Sequence, residues 1–259
     1  MDRNTKLWIL IGSLSLVIIL MACNANSIEE SPTGLFFNRA DGEVKTTSQV
    51  DFPLALGNTW VYSGTFYQGS NPTTVLTATY VVTESVVDIL HSDLGDYTII
   101  QIARYEKLIS CPTEWQTWPD NWCERSAIYD PEYYWYVIDG DTLYQQKLLA
   151  SYRLFERGSQ ELLFPLAEGT QWYLDHTMAQ AHPDYDVNSM LRKVISEGPC
   201  TVPAGDFERC FQMMTVVGGN TSVLDYCPEV GFVERSDIHS GTPFGTHEVL
   251  MAYTFPSLR

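Results

Sequence analysis

From Asp51 onward the chain is written almost entirely in strand-forming segments divided by turn residues, and no stretch of a dozen residues holds a helical period. "TWVYSGTFY", "TVLTATYVVTESVVDIL", "DYTIIQIARY", "YYWYVIDGDTLYQQ", "RCFQMMTVV" and "EVLMAYTF" are rich in Val, Ile, Thr, Tyr, Phe and Trp. With no helix to cover it, a sheet of such strands buries one face by curling on itself. The expected fold is all-β, an extensive curved antiparallel sheet, open or partly closed like a barrel. The competing arrangement is a pair of independent β-sandwiches. Asp139-Gly140 in "YVIDGDTLY" and Gly218-Gly219 in "VVGGNTS" mark two hairpins.

One phrase occurs twice: "FPLALGNTW" (Phe52–Trp60) and "FPLAEGTQW" (Phe164–Trp172). Pro53 and Pro165 lack a ladder N–H and suit the start or edge of a strand. Gly57 and Gly169 permit a turn closed to other residues, and Trp60 and Trp172 follow three positions on. Each copy reads as a corner that opens a strand set, 51–163 and 164–259 of one β domain, with the indole plugging the end. The alternative is an aromatic sugar-binding site.

The N-terminus carries Arg3 and Lys6, the apolar run "LWILIGSLSLVIILMA" and then Cys23 before "NANS". A basic start, a short apolar core and a small residue before the cut make a secretory signal over residues 1–22. With Leu20, Ala22 and Cys23 in place, the segment resembles a bacterial lipoprotein signal, and Met21 fills its remaining position. The resemblance implies acylation of Cys23 and export to the outer face of a bacterial membrane. Several acyl chains, at about 0.8 kcal/mol per buried CH₂, hold a protein there. An uncleaved anchor is the alternative. By resemblance to the sorting rule, Asn24 rather than Asp argues against retention at an inner membrane. Residues 23–50 then form the lipidated cysteine and a flexible tether, with Leu35, Phe36 and Phe37 as candidates to dock on the domain.

The formal net charge is −17 over 259 residues. Loss of the signal removes Asp2, Arg3 and Lys6, a net single positive charge, and leaves −18. Such a surface repels phosphate backbones and anionic headgroups, so the expected partners exclude nucleic acid. They comprise the membrane, reached through the lipid, and an envelope protein, a glycan or an apolar ligand.

Beyond Cys23 there are five cysteines, an odd number in an oxidising compartment. Cys111 and Cys123 bracket "CPTEWQTWPDNWC", where a bridge contributes about 3 kcal/mol in the chain-entropy model. A two-residue turn at Gly218-Gly219 sets Val217 against Asn220 and Cys210 against Cys227. A turn at Gly219-Asn220 makes those cysteines diagonal neighbours on the same face. A turn at Ala204-Gly205 sets Cys200 opposite Arg209 and leaves Cys200 as the free thiol. A three-residue turn there keeps Cys200–Cys210 open.

No nucleophile elbow, zinc-protease helix, phosphate loop or Cys-x-x-Cys pair occurs, so no catalytic residue and no cofactor are expected. The metal candidates are Asp237, His239 and His247 in "SDIHSGTPFGTHE", provided the two segments pair and converge. Otherwise "SGTPFG" is a hairpin connection, with Gly241 and Gly245 turning and Phe244 folding back. Trp115, Trp118 and Trp122 offer either an aromatic platform or a lid over one end of the sheet.

Three stretches, "FPLALGNTWVY", "TVPAGDFERC" and "CPEVGFVERSDIHSGTPFG", resemble a group of bacterial secreted proteins and lipoproteins of unknown function. The shared elements match Pro53, Leu54, Gly57, Trp60 and Tyr62, then Pro203, Ala204, Gly205 and Phe207, and lastly Gly231 and Val233. Glu229 stands where the last element carries Gly. The resemblance implies an all-β exported domain and supplies no catalytic residue. The expected role is a non-enzymatic, lipid-anchored surface protein engaged in binding or envelope structure. A carrier holding an acyl chain in an apolar cavity is the alternative, and a metal-dependent hydrolase using Asp237, His239 and His247 ranks last.

Overall fold

The computed structural model describes residues 37–39, 52–69, 75–92, 97–116, 123, 131–146, 159–175 and 190–256. Cys23, Trp118 and Trp122 lie outside the described residues, as does the signal segment. The strands are β1 (Phe37–Arg39), β2 (Thr59–Gly69), β3 (Val75–Ser92), β4 (Tyr97–Ser110), β5 (Glu132–Asp139), β6 (Thr142–Gln146) and β7 (Ser159–Leu163). They continue with β8 (Gln171–Tyr173), β9 (Leu191–Val202), β10 (Gly205–Val217), β11 (Asn220–Cys227), β12 (Gly231–His239) and β13 (Phe244–Thr254), and a helical turn, Thr113–Gln116, follows β4.

All pairings are antiparallel, in the order β7-β6-β5-β4-β3-β2-β13-β12-β11-β10-β9-β8. This single sheet nearly closes into a barrel, with one unsealed seam between β7 and β8. Separate sandwiches are thereby excluded. Six strands, β2–β7, form one meander and six, β8–β13, the other. The first strand of one and the last of the other are joined along β2–β13, where Thr59 faces Thr254 and Gln68 faces Phe244. Across the seam, the Gln160 N–H donates to Leu174 O at 2.8 Å and Trp172 Nε1–H to Gln160 O at 2.8 Å. Within the segment read as a tether, Phe37–Arg39 pairs with the far end of β3, Phe37 facing Ser92.

The two copies of the repeated phrase build the same corner. Gly57 and Gly169 take φ of +84° and +88°, a left-handed conformation that glycine adopts without steric cost. The Gly57 N–H donates to Val86 O at 3.0 Å, and the Gly169 N–H donates to Val194 O at 2.9 Å. Val86 and Val194 return N–H bonds of 2.9 Å each to Asn58 O and Thr170 O. Both indoles are buried, and each donates Nε1–H to a carbonyl, Trp60 to Val230 at 2.6 Å and Trp172 to Gln160 at 2.8 Å. Phe52 and Phe164 converge on the ring of Tyr226, 5.6 and 6.0 Å between centroids. Together with Leu54, Leu166, Tyr62, Phe211, Phe232 and Leu250 they fill the barrel interior at this end.

At Gly218-Gly219 the register places Val217 against Asn220 and Phe211 against Tyr226. One step further Cys210 is joined to Cys227, with Cα atoms 4.1 Å apart. Cys111 is joined to Cys123, Cα atoms 6.2 Å apart, and Cys200 is a free thiol. The β9–β10 turn is a correction. Val202 faces Gly205, so Pro203-Ala204 make the turn and Cys200 faces Phe207 rather than Arg209. Proline's fixed φ and missing N–H suit the turn and would break the ladder, which displaces the register from the expected one. Gly245 is likewise not a turn residue but a β13 position facing Tyr67.

Candidate functional site

Beside the apolar filling, the barrel interior becomes charged and opens into a cavity of about 560 Å³. Two rows of cross-strand partners supply part of its lining. Trp60 faces Glu84, Glu84 faces Arg104 and Arg104 faces Glu132 along β2–β5. The second row runs Trp172, Arg192, Thr215, Ser222, Asp237, Thr246 and Phe66 along β8–β13 and back to β2.

The floor is a four-residue ion network. Glu84, 3% exposed, accepts from Arg104 at 2.8 Å and from both terminal nitrogens of Arg235 at 2.8 and 2.9 Å. Glu248 is gripped by Arg104, lies 3.5 Å from Arg235 Nη1, and accepts from the Tyr80 hydroxyl at 3.2 Å. Arg235 is sandwiched as well, its Cζ 4.8 Å from the Tyr62 ring centre and 5.1 Å from that of Phe232. Tyr80 reaches the network because it lies flat across Gly64, where a Cβ would overlap the ring. On the other wall Arg192 donates to Glu161 Oε2 at 2.7 Å, to Glu161 O at 2.9 Å and to Thr215 Oγ1 at 3.1 Å.

Burial by itself would raise the Glu84 carboxyl, but Arg235 and then Arg104 outweigh it and hold it down at about 2. Glu106 behaves oppositely. Burial raises it, Arg104 at 3.9 Å draws it back, and Glu248 and Glu132 push it up, leaving it above its ordinary value. Burial also raises the hydroxyls of Tyr62, Tyr80, Tyr134 and Tyr136, which stay protonated donors at neutral pH.

Of the described residues singled out from the sequence as metal or platform candidates, Asp237 alone lines this cavity. The register sets Asp237 against Thr246 and Ser236 against His247, so Asp237 and His247 point to opposite faces of the sheet. Asp237 lines the cavity, His247 Nε2 pairs with Glu234 at 2.8 Å on the other face, and His239 Nδ1 pairs with Thr242 at 2.9 Å. Among the described residues no group of three His, Cys, Asp or Glu is placed to hold a metal ion. Trp115 is 3% exposed and packs on Phe66 with ring centres 5.3 Å apart, so it is no open platform. The cavity also differs from the apolar one an acyl carrier needs. Its lining includes Glu84, Arg104, Glu161, Arg192, Arg235 and Glu248, whose hydration a hydrocarbon would remove.

Sequence reasoning missed the ion network, although a signal was present. Glu84 shares its strand face with Tyr80, Val82 and Val86, Arg104 with Ile100 and Ile102, and Glu248 with Leu250. A charge in phase with an apolar face is buried and needs a partner of opposite sign.

Two solved structures are similar in fold. One is a protein from Bacteroides fragilis assigned as exported, with a YmcC-like fold. It is 9% identical, and the match covers 79% of this chain and 98% of that one at a TM-score of 0.41. The other is a protein from Parabacteroides distasonis assigned as a lipoprotein, 12% identical, covering 80% and 99% at a TM-score of 0.41. No family model and no curated protein matches the chain.

Proposed function

We propose that the chain is an exported, lipid-anchored binding protein without catalytic activity, and that its ligand occupies the barrel cavity. The cavity carries this reading. At about 560 Å³ it has the size of small-molecule sites, which run from about 300 to 1,000 Å³. Its floor is fixed by an ion network that leaves few rotamers free, the preorganisation that binding rewards. The basic start, apolar run and Leu20-Met21-Ala22-Cys23 sequence support export and acylation, and two disulfides fit an oxidising compartment.

Two experiments test the proposal. Cys23→Ser is expected to move the protein from the membrane fraction to the soluble one, and unchanged fractionation would remove the lipid anchor. Native mass spectrometry of protein purified from its own cells is expected to find a bound mass that Ser222→Trp, which fills the cavity wall, displaces. A protein free of any adduct, or an adduct retained by the variant, would overturn the cavity as the ligand site.

A further inference from the structure

The two corners close their strands to different degrees. The first opens β2, which is laddered to β13 from Thr59–Thr254 to Gln68–Phe244. The second, residues 164–170, joins β7 directly to β8, strands of five and three residues whose facing edges form the seam. Among the described residues a single main-chain bond crosses it, from the Gln160 N–H to Leu174 O. Side chains supply the rest. Trp172 Nε1–H donates to Gln160 O, and Arg192 Nη1 donates to both Glu161 O and Glu161 Oε2. Glu161 is available because it is the extra residue of a bulge: Leu162 faces Leu143 and Gln160 faces Tyr144, which leaves Glu161 out of the β6–β7 register. Arg192 is fixed to its own wall by Thr215 Oγ1. Glu161 and Arg192 both line the cavity, so the bond that joins the two edges is also part of the cavity wall.

We propose that the seam is a lateral door to the cavity, hinged at the second corner and latched by Arg192 on Glu161. The neighbouring strand pairs are laddered by main-chain bonds that break only together, whereas the seam parts by releasing one such bond and the side chains that bridge it. The corner holds one end. The chain itself passes through it, and Phe164, Leu166 and Trp172 are buried there, so the strands splay away from the corner rather than separate along their length. Unpaired strand edges recruit other chains unless they are blocked. Here Trp172 and Arg192 occupy the carbonyls of Gln160 and Glu161, so the closed seam is a poor template for strand addition. Once parted, Arg192 keeps its bond to Thr215, and the latch re-forms when Glu161 returns. A side opening admits a chain molecule at any point along its length, with no need to thread an end through the mouth. As an entry route the door rests on the cavity being the ligand site, as proposed above; the opening itself does not.

The test combines hydrogen–deuterium exchange of the full-length protein in detergent with labelling of a thiol placed in the cavity. Amides of residues 159–163 and 171–174 are expected to exchange at least tenfold faster than those of 59–69 and 244–254, and Arg192→Met should accelerate the first set alone. Ser222→Cys, in a Cys200→Ser background, puts a thiol in the cavity wall. Arg192→Met should speed its reaction with fluorescein maleimide at least tenfold. A disulfide across the seam, Gln160→Cys with Leu174→Cys, should bring the rate back to that of the latched protein or below. Circular dichroism checks folding, and Glu161→Gln, which removes the charge of the latch and keeps its size, takes the place of Arg192→Met if that variant does not fold. Equal exchange at both joints would overturn the door. So would fast exchange at the seam with labelling that neither the latch variant nor the crosslink changes, because the seam then only frays. A bound mass that Ser222→Trp displaces, beside such unchanged labelling, keeps the cavity as the ligand site and removes the door. Seam-dependent labelling of a protein that carries no bound mass keeps the opening and removes its use as an entry route.

Discussion

Trp60 faces Glu84 across the β2–β3 ladder, and Trp172 faces Arg192 across the β8–β9 ladder. The same corner, with the same glycine turn and the same indole hydrogen bond to a carbonyl, thus presents opposite charges to the barrel interior. The duplicated phrase fixes backbone and packing, while the residue facing each indole is free to differ. In the first half Glu84 gathers two arginines and the joint to β13 is closed. In the second, Arg192 takes a single glutamate from across an open seam. A shared scaffold therefore carries two unlike polar walls, and the cavity lies between them.

The comparison breaks most directly at the indoles. Trp60→Ala and Trp172→Ala are each expected to cost about 3–5 kcal/mol in urea unfolding, the usual range for a buried tryptophan. A loss confined to Trp60 would show that the corner at the seam does not share the role. The next effect separates the charges. Glu84→Gln leaves two buried guanidiniums to share the single carboxylate of Glu248 and should cost about 3–5 kcal/mol. Arg192→Met takes a donor from the Thr215 hydroxyl and strands one charge, Glu161, whose side chain is 12% exposed beside the cavity, and should cost about 1–3 kcal/mol. Equal losses would erase the asymmetry.

Acid unfolding sharpens the same contrast. The Glu84 carboxyl is held at about 2 against an ordinary value of 4.5. Its contribution, about 3 kcal/mol, is therefore complete above pH ~4.5 and lost as pH falls through ~2. Glu84→Gln should flatten this limb of the stability profile, and an unchanged limb would assign it to other groups. Glu106, shifted upward, works in reverse, so Glu106→Gln should cause no loss of stability at pH 7. The smallest effect is local to the corner. Asn58 donates Nδ2–H to Pro53 O at 2.7 Å, and its Oδ1 is buried without a partner among the described residues. The second corner has Thr170 in that place. Asn58→Thr should change the thermal midpoint by no more than about 1 kcal/mol equivalent, because a lost bond offsets a relieved orphan acceptor.

Much of the fold was legible because period-two patterning and turn chemistry are local. The Gly218-Gly219 hairpin and the two corners follow from residues a few positions apart. The turn falls at Pro203-Ala204 and not at Ala204-Gly205 because proline suits a turn and breaks a ladder, while Gly205, at φ +149°, starts β10. The site was hidden for a different reason. Arg104, Arg235, Glu84 and Glu248 come from β4, β12, β3 and β13, and only closure of the sheet brings them together. Asp237 and His247 failed as a pair because one residue of register moves a side chain to the opposite face.

The closed joint has a bearing on how the chain is made. Residues 59–69 acquire their outer partner only from residues 244–254, which leave a ribosome long after them. Until then β2 is an unpaired edge and the ion network lacks both Arg235 and Glu248. Pairing across so long a separation is slow to form. A chain that emerges from its N-terminus thus stays unlocked until β13 arrives, and that strand is the one that shuts the barrel.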